Sequence, residues 1–293
     1  MKKFFSIGAL KILLDYEPGP YKIFLEEALE TFTSEPVETP DISFRIDTES
    51  PFPLQDQYSM LFTSHPNGLW TILEDWQRTR YLITLQNTEK SAYPYKVVIT
   101  DRRFSDFLIY SKPNQYNELH PLEYPLVDLS VTGYININKI GIILHSACIS
   151  LNGKGCLFAG VSGSGKSTIS QIWQTDKDVD VLTDERVLIR QFREGIWAFG
   201  TPWHGTEKIH KNKGASIEHI FFIKHGNTNK ANRISKTDAA NRLIVRCFPS
   251  FWNREGITFA LDFCMIIAGG VKCYELEFVN NTSLIAYIKS ICC

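Results

Sequence analysis

The run Gly155-Cys156-Leu157-Phe158-Ala159-Gly160-Val161-Ser162-Gly163-Ser164-Gly165-Lys166-Ser167-Thr168 constrains this chain more than any other stretch. Cys156 to Ala159 is a short apolar strand candidate, and Ser167 to Thr175 follows with a helical pattern. Between them, Gly160 to Ser167 fits G-x-x-x-x-G-K-[ST], the phosphate-loop motif, in the strand-then-helix setting the motif requires. Gly160, Gly163 and Gly165 open main-chain conformations closed to residues with a Cβ, so successive N–H groups turn toward one anion. The helix adds its positive end at the same place. Lys166 then sets an ammonium on the outer phosphates and Ser167 a hydroxyl on Mg²⁺, with Ser162, Ser164 and Thr168 completing the cradle.

The flanking sequence supplies a sheet to carry the loop. Gly141 to Ile149 and Gly155 to Ala159 read as two strands, and Asn152-Gly153 between them is a tight-turn signal, so the pair predicts a hairpin. Val179 to Ile189 reads as one apolar strand with Asp184 near its middle, where Mg²⁺-nucleotide sites hold the ion directly or through water. Only one helix and one turn fit between Lys166 and Asp184. Asp184 and Glu185 offer one carboxylate for the metal and one to take a proton from a hydroxyl; adjacent residues on a strand face opposite ways, so both serve only where it ends or bulges. Trp197 to Lys208 enters a tight turn in which Thr201 and His204 can hydrogen-bond a ligand and Lys208 can meet a phosphate, though a packed aromatic turn fits equally well. Lys236 to Cys247, Phe259 to Gly269 and Ser283 to Ile291 pattern as helices, Ser216 to Lys224 and Lys272 to Phe278 as strands. Arg242 and Arg246 share a helix face, read as solvated and basic, with stabilisation of phosphoryl charge as the alternative.

Upstream, Leu69 to Leu73, Tyr81 to Leu85, Tyr95 to Ile99 and Asp106 to Tyr110 predict an antiparallel meander. Ile42 to Ile46 alternates as a strand, and Ile23 to Thr31 suits a short helix. The meander holds no chemically suggestive cluster, and the chain divides into a β-rich module over 1–128 and a nucleotide-binding domain over 129–293. His65 and His120 are isolated and read as structural. The basic tip and apolar run at the start are broken by Lys11 and Asp15, which predicts a first strand rather than a secretory signal. With 31 basic and 32 acidic side chains the net charge is −1, which gives no argument for nucleic acid. The 7 cysteines lack metal-type spacing and predict buried thiols in a reducing, cytoplasmic setting. Cys292-Cys293 reads as a frayed end, with a lipidation or metal handle as the alternative.

Leu144-His145-Ser146-Ala147, the loop Gly160 to Thr168, the strand Leu182 to Val187 and the turn Gly200-Thr201-Pro202-Trp203-His204-Gly205 occur in an order that resembles the HPr kinase/phosphorylase C-terminal domain. The likeness is nearest to HPr-kinase-like proteins of modified-peptide pathways, including lasso-peptide kinases. It extends through Cys247 to Trp252 and Cys273 to Phe278, covering about residues 140 to 280. The resemblance implies a phosphate loop on a mixed sheet of the phosphoenolpyruvate carboxykinase type, and phosphoryl transfer from ATP to a serine-type hydroxyl. It also implies Lys166 on the β- and γ-phosphates, Ser167 and Asp184 on Mg²⁺, and His145 beside the phosphates. Glu185 stands where the bacterial enzyme has a second aspartate, so the base stays open between Asp184 and Glu185.

The expectation is a Mg·ATP-dependent kinase acting on a hydroxyl of a small molecule, peptide or protein, and a homo-oligomer is compatible with it. A metabolite kinase of the gluconate or adenylylsulfate type ranks lower, because such enzymes open with the loop; an all-parallel sheet would reverse that order. A nucleotide-dependent peptide-binding module with little catalysis is the reading from another class.

Overall fold

The computed structural model describes residues 1–53, 55–64, 68–86, 94–161 and 163–292, which form a mixed α/β protein. Ser162, His65 and Cys293, each singled out in the sequence, lie outside the described residues. Two units result: Met1–Asn138 with Ser250–Arg254, and Lys139–Pro249 with Glu255–Cys293. No helix among the described residues is long and apolar enough to cross a membrane.

The first unit runs β1 (Lys2–Ile7), β2 (Leu10–Asp15), β3 (Lys22–Ile23), α1 (Glu27–Glu30), β4 (Ile42–Asp47), β5 (Tyr58–Thr63), β6 (Trp70–Asp75), β7 (Arg80–Leu85), β8 (Lys96–Asp101), β9 (Asp106–Ser111), β10 (Glu118–Leu119) and α2 (Leu126–Ile137). Its main sheet has the order β1-β2-β4-β9-β8-β7-β6-β5. The meander β6 to β9 is antiparallel throughout, as its alternating runs predict, and β4 joins it through parallel pairs with β2 and β9. The short helix expected from Ile23 shrinks to α1, because Lys22–Ile23 pairs instead with β10.

The boundary expected at 128/129 falls inside α2, which belongs to this unit: Gly133 packs against the Phe104 ring, and Tyr134 and Asn138 bond Asp41 and the Arg103 carbonyl. Residues 250–254 return to it as well. Trp252 packs against Phe62, Trp70 and Phe104 at ring separations of 6.5, 6.2 and 5.5 Å, and Ser250 N–H donates to Asn136 Oδ1 at 2.8 Å. Aromatic burial overrides chain continuity at that point.

The second unit runs β11 (Gly141–Leu151), β12 (Lys154–Ala159), α3 (Lys166–Gln174), β13 (Val179–Thr183), β14 (Arg186–Phe192), β15 (Gly195–Phe199), β16 (Gly214–His225), β17 (Lys230–Arg233), α4 (Lys236–Ile244), β18 (Cys247–Phe248), α5 (Arg254–Gly270), β19 (Lys272–Phe278) and α6 (Ser283–Cys292). Strands β11 and β12 form the expected hairpin, with Asn152 (φ 51°) and Gly153 (φ 82°) both left-handed, as a tight turn there demands. On its other edge β11 pairs with β13 and then β14. The strand expected as continuous over Val179 to Ile189 is thus broken at Asp184-Glu185, where Ser146 N–H donates to the Glu185 carbonyl at 3.0 Å.

Strand β12 also pairs in parallel with β16, and β16 with β15 and β19, so the sheet closes on itself through β11, β12, β16, β15 and β14. Alternation along β16 feeds two cores. Ile217, Ile220 and Phe222 pack with Leu243 of α4 and Phe263 of α5, whereas Phe221 and Ile223 pack with Trp173 of α3 and Ile288 of α6. β12 contributes Leu157 and Ala159 to the first core and Cys156 and Phe158 to the second, which fixes it between them.

Candidate active site

Gly160 and Val161 leave the C-terminal end of β12, beside the end of its parallel neighbour β16, which in turn pairs in parallel with β19. Ligands of α/β sheets collect at such ends. Gly163 (φ 75°) and Gly165 (φ 100°) are left-handed, and a Cβ on Gly165 would lie 2.6 Å from Phe278 and 3.0 Å from His225. Only glycine turns the chain there. Helix α3 then begins, its first ladder bond running from Ile169 N–H to the Gly165 carbonyl at 2.9 Å, so the N–H groups of Lys166, Ser167 and Thr168 precede the ladder.

A cavity of about 350 Å³ opens at this helix start, lined by His145, Gly163, Gly165, Lys166, Ser167, Thr168, Glu185, Thr206 and His225. Lys166 is 6% exposed and donates to the Gly160 and Val161 carbonyls at 3.1 and 3.3 Å. An ammonium has three N–H groups, and among the described residues two carbonyls accept from it. Burial pulls Lys166 below the ordinary lysine range; Glu185 opposes that shift and Arg246 adds to it. On the facing wall, His145 of β11 lies with Nε2 2.9 Å from Glu185 Oε1. That hydrogen bond holds the Glu185 carboxyl below the ordinary glutamate range, against the opposing effect of its partial burial.

The two adjacent carboxylates have separate tasks. Asp184 is fully buried, and its Oδ1 and Oδ2 accept the Gly205 and Glu207 N–H groups, each at 2.9 Å. It therefore holds the 205–207 turn, and Glu185 is the carboxylate on the cavity wall. A Cβ on Gly205 would meet Asp184 Oδ2 at 2.8 Å and Glu185 Oε2 at 3.0 Å, which explains glycine at that position. From the other side, α3 reaches the same turn through Ser167 Oγ to Thr206 Oγ1 at 3.4 Å and Gln171 Nε2 to Glu207 Oε1 at 2.9 Å.

The remaining sequence candidates lie behind or beside the cavity. Gly160 contributes its carbonyl to Lys166, and Ser164 Oγ is buried without a hydrogen-bond partner. Thr201 is fully buried and donates to the Arg186 carbonyl at 2.7 Å, a packing role rather than ligand contact. His204 Nδ1 lies 2.9 Å from the Gly205 carbonyl, and Lys208 is exposed with φ 52°; neither lines the cavity. The face bearing Arg242 and Arg246 is not a solvated one. Arg242 pairs with Glu275 at 2.9 Å and Asp238 at 3.2 Å, and half-buried Arg246 lies over Phe222 and donates to the Arg242 carbonyl at 2.7 Å.

Sequence reasoning missed Thr206 and His225. The signal for His225 is its place at the end of β16, which runs parallel to β12; Thr206 carries no signal apart from the turn it sits in. No protein-family model matches this sequence, and no curated protein matches it.

Proposed function

We propose that this chain transfers the γ-phosphoryl group of Mg·ATP to a hydroxyl of a small molecule, peptide or protein. The observation that carries the reading is the convergence on one cavity of the Lys166 ammonium, the unladdered N–H groups of Lys166 to Thr168 and the Glu185–His145 pair. In this reading the 160–165 loop is a phosphate loop on a mixed sheet, as in the phosphoenolpyruvate carboxykinase and HPr kinase folds. The antiparallel β11–β12 pair favours it over a metabolite kinase with an all-parallel sheet.

The residues present fit the nucleotide and its cation. The start of α3 favours anions, and Ser167 Oγ and Thr206 Oγ1 are hard oxygen donors that suit Mg²⁺, an ion that keeps several of its waters. Mg·ATP, when bound, supplies the electrophilic phosphorus and spreads the charge of its oxygens over metal and protein. With nucleotide bound, Lys166, now on the loop carbonyls, would hold the outer phosphates, which would offset its buried charge. Ser167 and Thr206 would hold the cation, and Asp184 positions Thr206 against Ser167 by fixing the turn. Glu185, ionised at neutral pH, accepts the acceptor's hydroxyl proton at Oε2, with Oε1 oriented by His145.

The test is phosphoryl transfer from labelled ATP to hydroxyl-bearing peptides and metabolites, comparing the native chain with Lys166→Ala. Transfer by the native chain and its loss in the folded variant supports the reading. Full turnover by Lys166→Ala on the same acceptor overturns it.

A further inference from the structure

A second cluster of chemically capable side chains lies in the other half of the second unit's core, away from the cavity. Cys156 of β12 and His219 of β16 are register partners at the point where the pairing of the two strands shifts, between Gly155 and Cys156. Such an irregularity re-aims side chains. Cys292, in the last turn of α6, brings its Sγ to 3.3 Å from Cys156 Sγ. One donor atom from each of the three residues lies within 4.8 Å of the others.

His219 is the informative member. It is 2% exposed and packed beside Phe221 and Tyr274, neither ring nitrogen makes a well-aligned hydrogen bond, and the Cys292 thiol is a polar group near enough to interact with it. A buried imidazole set beside a thiol without a well-made hydrogen bond demands an explanation. A disulfide between Cys156 and Cys292 would not give one, since it leaves the ring as it is. The sulfur separation also points away from a disulfide. A disulfide needs about 2.05 Å. Two bonds of about 2.3 Å to a tetrahedral Zn²⁺ put their sulfurs about 3.8 Å apart, nearer to what is found.

We propose that Cys156, His219 and Cys292 form a Zn²⁺ site that fastens α6 to the sheet beneath the 160–165 loop. Two thiolates and one imidazole are a donor set that borderline-soft Zn²⁺ prefers and that Mg²⁺ and Ca²⁺ do not. Binding displaces the two thiol protons to solvent, gives the imidazole its partner, and leaves a fourth position for water. The site does not depend on the proposed kinase activity. Cys156 stands on β12, which ends at Ala159, so the ion links the C-terminal helix to the strand that leads into the loop.

The experiment uses the whole chain, reduced, stripped with a chelator and titrated with Zn²⁺ alone against a chromophoric competitor. The expected result is about one tightly held ion per chain, with Co²⁺ in its place giving a thiolate charge-transfer band. His219→Ala and Cys292→Ser are each expected to weaken Zn²⁺ binding at least about 100-fold, while Cys293→Ser retains it. Circular dichroism of each variant checks folding, and Cys292→Ser, a half-exposed change near the end of a helix, keeps the test sound if His219→Ala does not fold. Failure of the native chain to bind Zn²⁺, or full binding by folded Cys292→Ser, overturns the proposal. So does a metal-free native chain isolated with Cys156 and Cys292 joined as a disulfide.

Discussion

Each unit buries a lysine, and the two are satisfied in opposite ways. Lys96, 1% exposed at the start of β8 inside the meander, donates to the Glu123 carboxylate and the His120 carbonyl. Lys166, 6% exposed, bonds two carbonyls of its own loop among the described residues, and Glu185 and Asp184 act on it through space. Burial lowers both below the ordinary lysine range, but only Lys96 has a carboxylate in contact to offset it. An ammonium paired inside the protein is part of the structure, since removing either partner strands the other. One left with neutral carbonyls at the mouth of a cavity is stabilised most by an anion that arrives from outside.

That contrast is broken most directly at Lys166. Lys166→Ala is expected to cut phosphoryl transfer about 10² to 10³-fold, the scale of losing one aligned cationic or oxyanion donor. Its melting temperature should stay level or rise, because a poorly paired buried charge is gone; a large drop would place Lys166 with Lys96. Lys96→Met should do the reverse, costing about 3 kcal/mol of stability in denaturant titration by stranding Glu123, with unchanged transfer per folded molecule. Asp184→Asn sharpens the division between the two carboxylates. An amide NH₂ set against a main-chain N–H should cost about 2 kcal/mol, and transfer should suffer through the displaced 205–207 turn. If stability is untouched, Asp184 does not hold that turn.

The smallest effect is on pH dependence. Glu185 is held below the ordinary glutamate range by its bond from His145, so its capacity to accept a proton is full at neutral pH and is lost only as pH falls through that lowered value. His145→Ala should move the acid limb of the rate profile upward, toward the usual glutamate range. An unmoved limb would detach the base from Glu185.

Local signals in the sequence were sufficient where a residue type has one physical reason to be there. Asn152-Gly153 marks the hairpin, the alternation from Leu69 to Tyr110 marks the meander, and the glycines around Lys166 mark a turn into a helix. Long-range decisions were not legible. Trp252 returns to the first unit because Phe62, Trp70 and Phe104 wait there, and no pattern around Trp252 encodes those distant rings. The break at Asp184-Glu185 was recognisable only as a condition for both carboxylates to serve. Which one faces the cavity follows from the Gly205 and Glu207 N–H groups, which no spacing rule connects to Asp184.

Strand β11 carries both walls of the cavity on one backbone. Its 146–151 stretch aligns the strand that launches the loop, and its opposite edge aligns the two halves of the strand interrupted at Asp184-Glu185. A single ruler thus measures both sides, so a thermal excursion that unzips β11 dismantles them together. If the two walls do come apart together, β11 amides should be among the slowest in the second unit to exchange with deuterium.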